Sequence, residues 1–120
     1  MRFITGGAYQ GKLEYALKKY GIAENECADA AHAGDEEIAE ARLVWNLQDY
    51  IRLHQRGGKC SLPEMRRDAV VICDEIGSGI VPAEREEREY REAAGRVCCR
   101  LAEEAESVEV VRFGIARRIK

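Results

Sequence analysis

Residues 2–20 read Arg2-Phe3-Ile4-Thr5-Gly6-Gly7-Ala8-Tyr9-Gln10-Gly11-Lys12-Leu13-Glu14-Tyr15-Ala16-Leu17-Lys18-Lys19-Tyr20. Residues 2–5 carry a very short strand signal, and Gly6 to Gly11 is glycine-rich. Leu13, Ala16, Leu17 and Tyr20 then recur at the i, i+3, i+4, i+7 spacing of a helix face, and Gly21 supplies the stop. Gly6 to Lys12 fits G-x-x-x-x-G-K in the strand–loop–helix context where that pattern carries chemistry. Glycines allow a tight loop whose backbone N–H groups turn inward, and the positive end of the next helix adds to their field. Lys12 then reaches the terminal phosphates of a nucleotide and offsets charge that develops during transfer. On this reading Gly6, Gly7, Ala8, Tyr9, Gln10, Gly11, Lys12 and Leu13 surround ATP or GTP, and Lys12 is catalytic. At position 13 the pattern asks for a hydroxyl to bind Mg²⁺, and Leu13 has no oxygen to offer. A glycine-rich turn with an ordinary surface lysine produces the same seven residues.

The strongest strand signal lies further on, at Ala69-Val70-Val71-Ile72-Cys73, short, continuous and β-branched as a strand covered on both faces should be. The loop Asp74-Glu75-Ile76-Gly77-Ser78-Gly79-Ile80-Val81-Pro82 follows it, then a long helical pattern from about Ala83 to Glu106 interrupted by Gly95. Val108 to Phe113 reads as a strand, and Gly114 precedes a basic end, Ile115 to Lys120. In the middle, Asp35 caps a predicted long helix to Arg56, with Ile38, Ala41, Val44, Leu47 and Ile51 on one face and Gly57-Gly58 as its stop. Ser61-Leu62-Pro63-Glu64 reads as a fresh helix start. Residues 26–32 are ambiguous, a weak strand ending near Asp29 being one reading. Strands alternating with helices predict an α/β fold, a three-layer P-loop-type domain with a mainly parallel sheet spanning 1–120.

In such sheets ligands bind beyond the carboxyl ends of the strands, where both glycine-rich loops fall. Asp74 and Glu75 are therefore candidate Mg²⁺ ligands facing the phosphate loop, Glu75 also a catalytic candidate, and Gly77 and Gly79 candidates for close backbone approach to a nucleotide. A solvated acidic turn is the alternative. Arg85, Arg88, Arg91 and Arg96 can clamp phosphate, or can pair with the glutamates interleaved among them.

The 120 residues carry 46% apolar and 34% charged residues and a net charge of −3, an ordinary globular composition. That charge disfavours a general nucleic-acid role. The longest apolar run is far short of the ~18 residues of a membrane span, and the first residues do not read as a secretion signal. Five cysteines, with no C-x-x-C pair, predict reduced thiols in a cytoplasmic protein. Cys98 and Cys99, adjacent on a helix, suit a shared metal poorly.

Together the two loops and the tail resemble one family, the bifunctional adenosylcobinamide kinase/adenosylcobinamide-phosphate guanylyltransferases of cobalamin synthesis. Three segments carry the match: Thr5 to Lys12; Asp74 to Pro82 with Arg88-Glu89-Tyr90-Arg91-Glu92 and Gly95-Arg96; and Gly114 to Lys120, like the family's closing G-x-x-x-x-L-K. The E-[IV]-G-x-G-I-V-P string is far more specific than the phosphate loop alone. The match covers the first 20 residues and 69–120 well, and the middle weakly. It implies a homo-oligomeric P-loop domain that phosphorylates the aminopropanol hydroxyl of adenosylcobinamide with ATP or GTP and, through a guanylylated histidine, acts as a nucleotidyltransferase. Gly6, Gly7, Gly11 and Lys12 map onto the family's nucleotide loop, and Glu75 onto its acidic residue near the nucleotide. Gly77, Gly79, Val81 and Pro82 map onto the following loop, and Arg88, Arg91 and Arg96 onto helix positions. The chain is shorter than typical members, the missing length falling between residues 21 and 68, where the family's histidine lies. His32 and His54 are the only histidines, and neither has the arginine neighbour of the family pattern. The expectation is thus a shortened kinase, with a nucleotide- or corrinoid-binding protein that does not turn over as the alternative. An unrelated P-loop-like domain is opposed by the Asp74–Pro82 string.

Overall fold

The computed structural model describes residues 1–76 and 82–120. Its centre is a six-stranded sheet in the order β2-β3-β4-β1-β5-β6, built from β1 (Arg2–Gly6), β2 (Cys27–Asp29), β3 (Leu43–Trp45), β4 (Val70–Asp74), β5 (Ser107–Arg112) and β6 (Ile115–Arg118). The first five are parallel, and β6 turns back antiparallel on β5 through Phe113-Gly114. Helix α1 (Lys12–Tyr20) covers one face; α2 (Asp35–Glu40), α3 (Leu47–His54) and α4 (Arg85–Glu104) cover the other.

The strands are apolar throughout because both faces are buried. Ile4, Leu43, Val70, Ile72 and Val111 point toward α1, while Phe3, Val44, Val71, Cys73 and Val108 point toward α3 and α4. This alternation, period two along each strand, sandwiches the sheet between two helical layers. It realises the three-layer α/β architecture with a mainly parallel sheet.

The topology places the cleft. The chain leaves β1 through α1 on one face and leaves the neighbouring β4 through α4 on the other. Adjacent strands whose connections depart to opposite faces open a crevice at their carboxyl ends. Gly6 pairs with Asp74 in register at that point.

Two expectations for the middle of the chain are corrected. The single helix expected from Asp35 to Arg56 is α2, then strand β3, then α3. Leu43 and Val44 are both fully buried but on opposite faces of the sheet, and Asn46 breaks helical geometry with φ 56°. Ala41, Val44, Leu47 and Ile51 fall at helical spacing although they sit on different elements. Asp35 opens α2 from its first turn rather than from the cap position, which Gly34 occupies, and its carboxylate accepts the Tyr50 hydroxyl at 3.1 Å. The helix start at Ser61 is absent, because Pro63 favours extended backbone before it and only a few residues separate it from β4. Leu62 and Met65 instead pack against the core from an irregular segment. The weak strand near Asp29 is β2, and the basic end forms β6.

Candidate functional site

The loop after β1 is shaped by three left-handed residues. Gly6 has φ 149°, Tyr9 60° and Gly11 84°, and α1 begins immediately after at Lys12. A side chain is excluded at Gly6, where a Cβ would come within 2.3 Å of the Val111 carbonyl oxygen. The loop is seated on the β5–β6 turn: Phe113 N–H donates to Gln10 Oε1 at 2.7 Å and Gly114 N–H to the Gln10 carbonyl at 2.9 Å. The first N–H groups of α1, which have no partner inside the helix, therefore face a loop held in place by its neighbours.

Lys12 is only 6% exposed. Its ammonium donates to the Gly7 carbonyl at 2.6 Å and pairs with Asp74 Oδ1 at 2.8 Å. The Glu75 N–H reaches back to the Gly6 carbonyl at 2.8 Å. The glycine loop and the acidic turn, far apart in sequence, are thus joined at one point. Asp74 and Ile76 line the cleft, together with Ala8, Tyr9, Gln10, Gly11 and Leu13. Glu75, between them in sequence, is exposed and is not among the residues that line the cleft. Gly77, Gly79 and Val81 lie outside the described residues.

The opposite wall comes from residues that sequence reasoning missed. Trp45, Asn46, Gln48, Asp49 and Arg52 from β3 and α3, and Tyr90 from α4, complete a cleft of about 710 Å³. Asn46 Nδ2 donates to Asp29 Oδ1 at 3.1 Å, Gln48 Nε2 to Asn46 Oδ1 at 3.2 Å, and the Asp74 N–H to Gln48 Oε1 at 3.0 Å. The Arg52 guanidinium lies 3.9 Å over the Tyr90 ring and pairs with Glu87 at 2.6 Å. Burial pushes the Tyr90 hydroxyl up to about 12, so it stays protonated near neutral pH. The available signal was the run Leu43-Val44-Trp45 followed by Asn46, a residue that tolerates left-handed backbone.

Other expected residues fall elsewhere. Arg85 pairs with Glu89 at 2.9 Å and Arg96 with Glu92 at 2.5 Å along α4, while Arg88 donates to the carbonyls of Pro82 and Ala83. His32 and His54 are exposed, and neither lines the cleft; His54 stacks on Tyr50 with ring centroids 4.1 Å apart. All five thiols are free, with Cys73 and Cys98 sulfurs 3.7 Å apart. Among the described residues no group of three or more His, Cys, Asp or Glu side chains is placed to hold a metal ion. Mg²⁺ that arrives on a triphosphate asks less of the protein, one or two carboxylates with water completing the shell. Asp74, which lines the cleft beside Lys12, is the residue that would supply such a carboxylate. Among the described residues no helix is long and apolar enough to cross a membrane.

Comparison with known proteins places these features in a family context. A family model described as cobinamide kinase / cobinamide phosphate guanyltransferase matches residues 39–119, more than half of the chain. The match takes in β3, α3, β4, α4, β5 and β6, and begins after the glycine loop and α1. The bifunctional adenosylcobalamin biosynthesis protein CobU of Salmonella typhimurium is 47% identical over 51 residues, which are 42% of this chain and 28% of that relative. The protein of the same description from Escherichia coli is 45% identical over 51 residues, with the same coverage. The chain therefore covers 28% of the length of the relatives it matches.

Proposed function

The chain belongs to the cobinamide kinase / cobinamide phosphate guanyltransferase family, and on that premise we propose that it is a nucleotide-dependent kinase of cobalamin synthesis, transferring phosphate from ATP or GTP to the aminopropanol hydroxyl of adenosylcobinamide. One observation carries the reading: Lys12 is held between the Gly7 carbonyl and Asp74 at the mouth of the switch-point cleft. A buried lysine there, beside the amino end of α1, is a preorganised cation for phosphate oxygens.

The chemistry follows from these groups. The loop amides and Lys12 hold the triphosphate, the ammonium reaching the terminal phosphates from its seat beside Asp74. The acceptor hydroxyl enters along the wall formed by α3 and Tyr90. Its oxygen bonds to the terminal phosphorus as the bond from phosphorus to the bridging oxygen breaks. The nucleoside diphosphate leaves, and the hydroxyl proton passes to a carboxylate or to water. Asp74 and, on the opposite wall, Asp49 are carboxylates that line this cleft. Asp74 would hold Mg²⁺, which supplies charge neutralisation across the phosphates.

Incubation with cobinamide and nucleotide labelled at the terminal phosphate tests the proposal. Label on the corrinoid is expected, and a corrinoid that stays unlabelled with both ATP and GTP sinks it. GTP labelled in its α-phosphate is expected to leave no acid-labile GMP on the chain, since the two histidines are exposed away from the cleft. A cytoplasmic location and homo-oligomeric assembly belong to the same proposal, and sedimentation measures the latter.

A second reading is favoured by Leu13, which lines the cleft where a hydroxyl would bind Mg²⁺. On it the chain binds nucleotide or corrinoid without turnover, as a partner subunit. Saturable nucleotide binding without phosphate transfer distinguishes this reading.

A further inference from the structure

We propose that Gln48 is a positioning residue for Lys12, acting through the backbone of Asp74. The proposal rests on the reading of Lys12 as the phosphate-binding lysine.

Strands β3 and β4 pair only at Leu43↔Val70 and Val44↔Val71. Beyond that point β4 continues to Asp74 with no strand partner on its β3 side. On its other side β4 stays paired with β1 as far as Gly6↔Asp74. Backbone N–H groups alternate in direction along a strand, and here the Glu75 N–H takes the β1 side by donating to the Gly6 carbonyl. The Asp74 N–H is left facing the gap, and the Gln48 side-chain oxygen fills it at 3.0 Å. Gln48 is 7% exposed, so water does not easily substitute for it.

The orientation of that amide is dictated by its neighbours. The Asp29 carboxylate can only accept, so Asn46 must present its NH₂ to Asp29 and its oxygen to Gln48. Gln48 must then give its own NH₂ to Asn46, which leaves its oxygen for the Asp74 N–H. A run of polar groups thus crosses the carboxyl ends of β2, β3 and β4. It starts at an acceptor-only group and ends at a donor-only group, and no member can flip without breaking a bond. Its last link fixes the residue whose carboxylate holds Lys12 at 2.8 Å. Asn46 keeps left-handed backbone at φ 56° without a capping bond from its side chain, which is committed to this run.

The test uses the full chain, with inorganic tripolyphosphate as the probe and the ammonium resonance of Lys12 in the free protein as a second readout. Gln48→Met keeps the shape and removes both hydrogen bonds. It is expected to weaken tripolyphosphate binding about tenfold and to move the Lys12 resonance. Asn46→Gly, which accepts the positive φ without strain, removes one link and should shift both readouts in the same direction by less. Ile51→Val truncates the core under the same helix and should lower the melting temperature while moving neither readout. Gln48→Met with native affinity and a native Lys12 resonance overturns the proposal. If Gln48→Met does not fold, the same two outcomes in Asn46→Gly decide. If the native chain fails to bind tripolyphosphate and yet the Lys12 resonance moves in Gln48→Met, the phosphate reading fails and the positioning role stands.

Discussion

Gly6 sits directly against Val111: a Cβ on residue 6 would lie 2.3 Å from the Val111 carbonyl oxygen, a backbone atom that cannot swing away. The glycine loop leaves the sheet at a point where β1 and β5 approach too closely for a side chain on residue 6. Gly6→Ala is therefore expected to destabilise the protein by about 3 kcal/mol, since the clash adds to the strain of φ 149°. Urea denaturation measures it. A loss under about 1 kcal/mol would mean that β5 yields without cost.

Gly95 is the opposite case. It interrupts α4 on an exposed face, and a Cβ there meets nothing within 4 Å. Its backbone is not left-handed, so Gly95→Ala should stabilise by about 1 kcal/mol through helix propensity and a less flexible unfolded chain. A rise of a few degrees in melting temperature is the expected reading, and a fall would show that the added methyl meets a neighbour in the folded chain.

Replacing Lys12 by methionine keeps the buried stem and deletes the charge. Asp74 loses its partner but is a quarter exposed and can hydrate, so the folding cost should stay below about 2 kcal/mol. The ligand effect is larger. Mg²⁺ with ATP or GTP at a hundredfold excess over its dissociation constant should stabilise the native chain by about 2.7 kcal/mol. That thermal shift should vanish in Lys12→Met. A shift that survives would place the nucleotide away from this loop.

The parts of this fold that were legible in the sequence are those specified locally. A glycine loop before a helical stripe, and a β-branched run before an acidic turn, each name their own conformation, so β1, α1, β4 and α4 could be read directly. So could the meeting of the loop that carries Lys12 with the turn that carries Asp74, since parallel sheets gather their loops at one end. The second wall was hidden because β3 has only three residues, and Val44 extends the helical spacing of Ala41, Leu47 and Ile51 by coincidence. Gln48 reads as one more polar position on a helix until β3 ends short of β4 and leaves the Asp74 N–H to be satisfied. That need arises from strand register, which no local pattern encodes.

Tyr15 and Tyr20 both donate their hydroxyls to Glu109, which β5 presents, largely buried, toward α1. Burial first, and the Glu109 hydrogen bond second, push Tyr20 up to about 12 and Tyr15 further. Burial likewise lifts Tyr50, bonded to Asp35, and Tyr90 to about 12. Unfolded tyrosines ionise near about 10. The fold therefore holds these protons more tightly than the unfolded chain does, and the stability they confer is complete below pH 10. It is lost as pH rises from about 10 through about 12. Melting temperature should be level to about pH 9 and fall steeply above it. Tyr20→Phe should reduce the slope, because one titrating group is gone. Tyrosine ionisation followed by ultraviolet absorption, if complete near pH 10 in the folded protein, would contradict this account.

The five thiols should separate by reactivity. Cys99 is exposed on α4, while Cys98, one residue away, turns toward the sheet with its sulfur 3.7 Å from that of Cys73. The contact is unequal. The Cys98 hydrogen bond, with burial second, pushes the Cys73 thiol well above the ordinary range, whereas contact with Cys73 holds Cys98 below it. Burial also raises Cys60 and Cys27. Thiolate is the reactive species, and access limits the rest. Iodoacetamide at neutral pH is expected to label Cys99 and Cys98 first and Cys27 more slowly, with Cys60 and Cys73 reacting only on unfolding. Peptide mass spectrometry over a time course resolves the order. The sharper comparison is Cys73→Ala, which removes the partner that lowers Cys98: labelling of Cys98 should slow relative to Cys99 even though the smaller side chain opens space beside it. Faster labelling would show that access, not the shared contact, governs this pair.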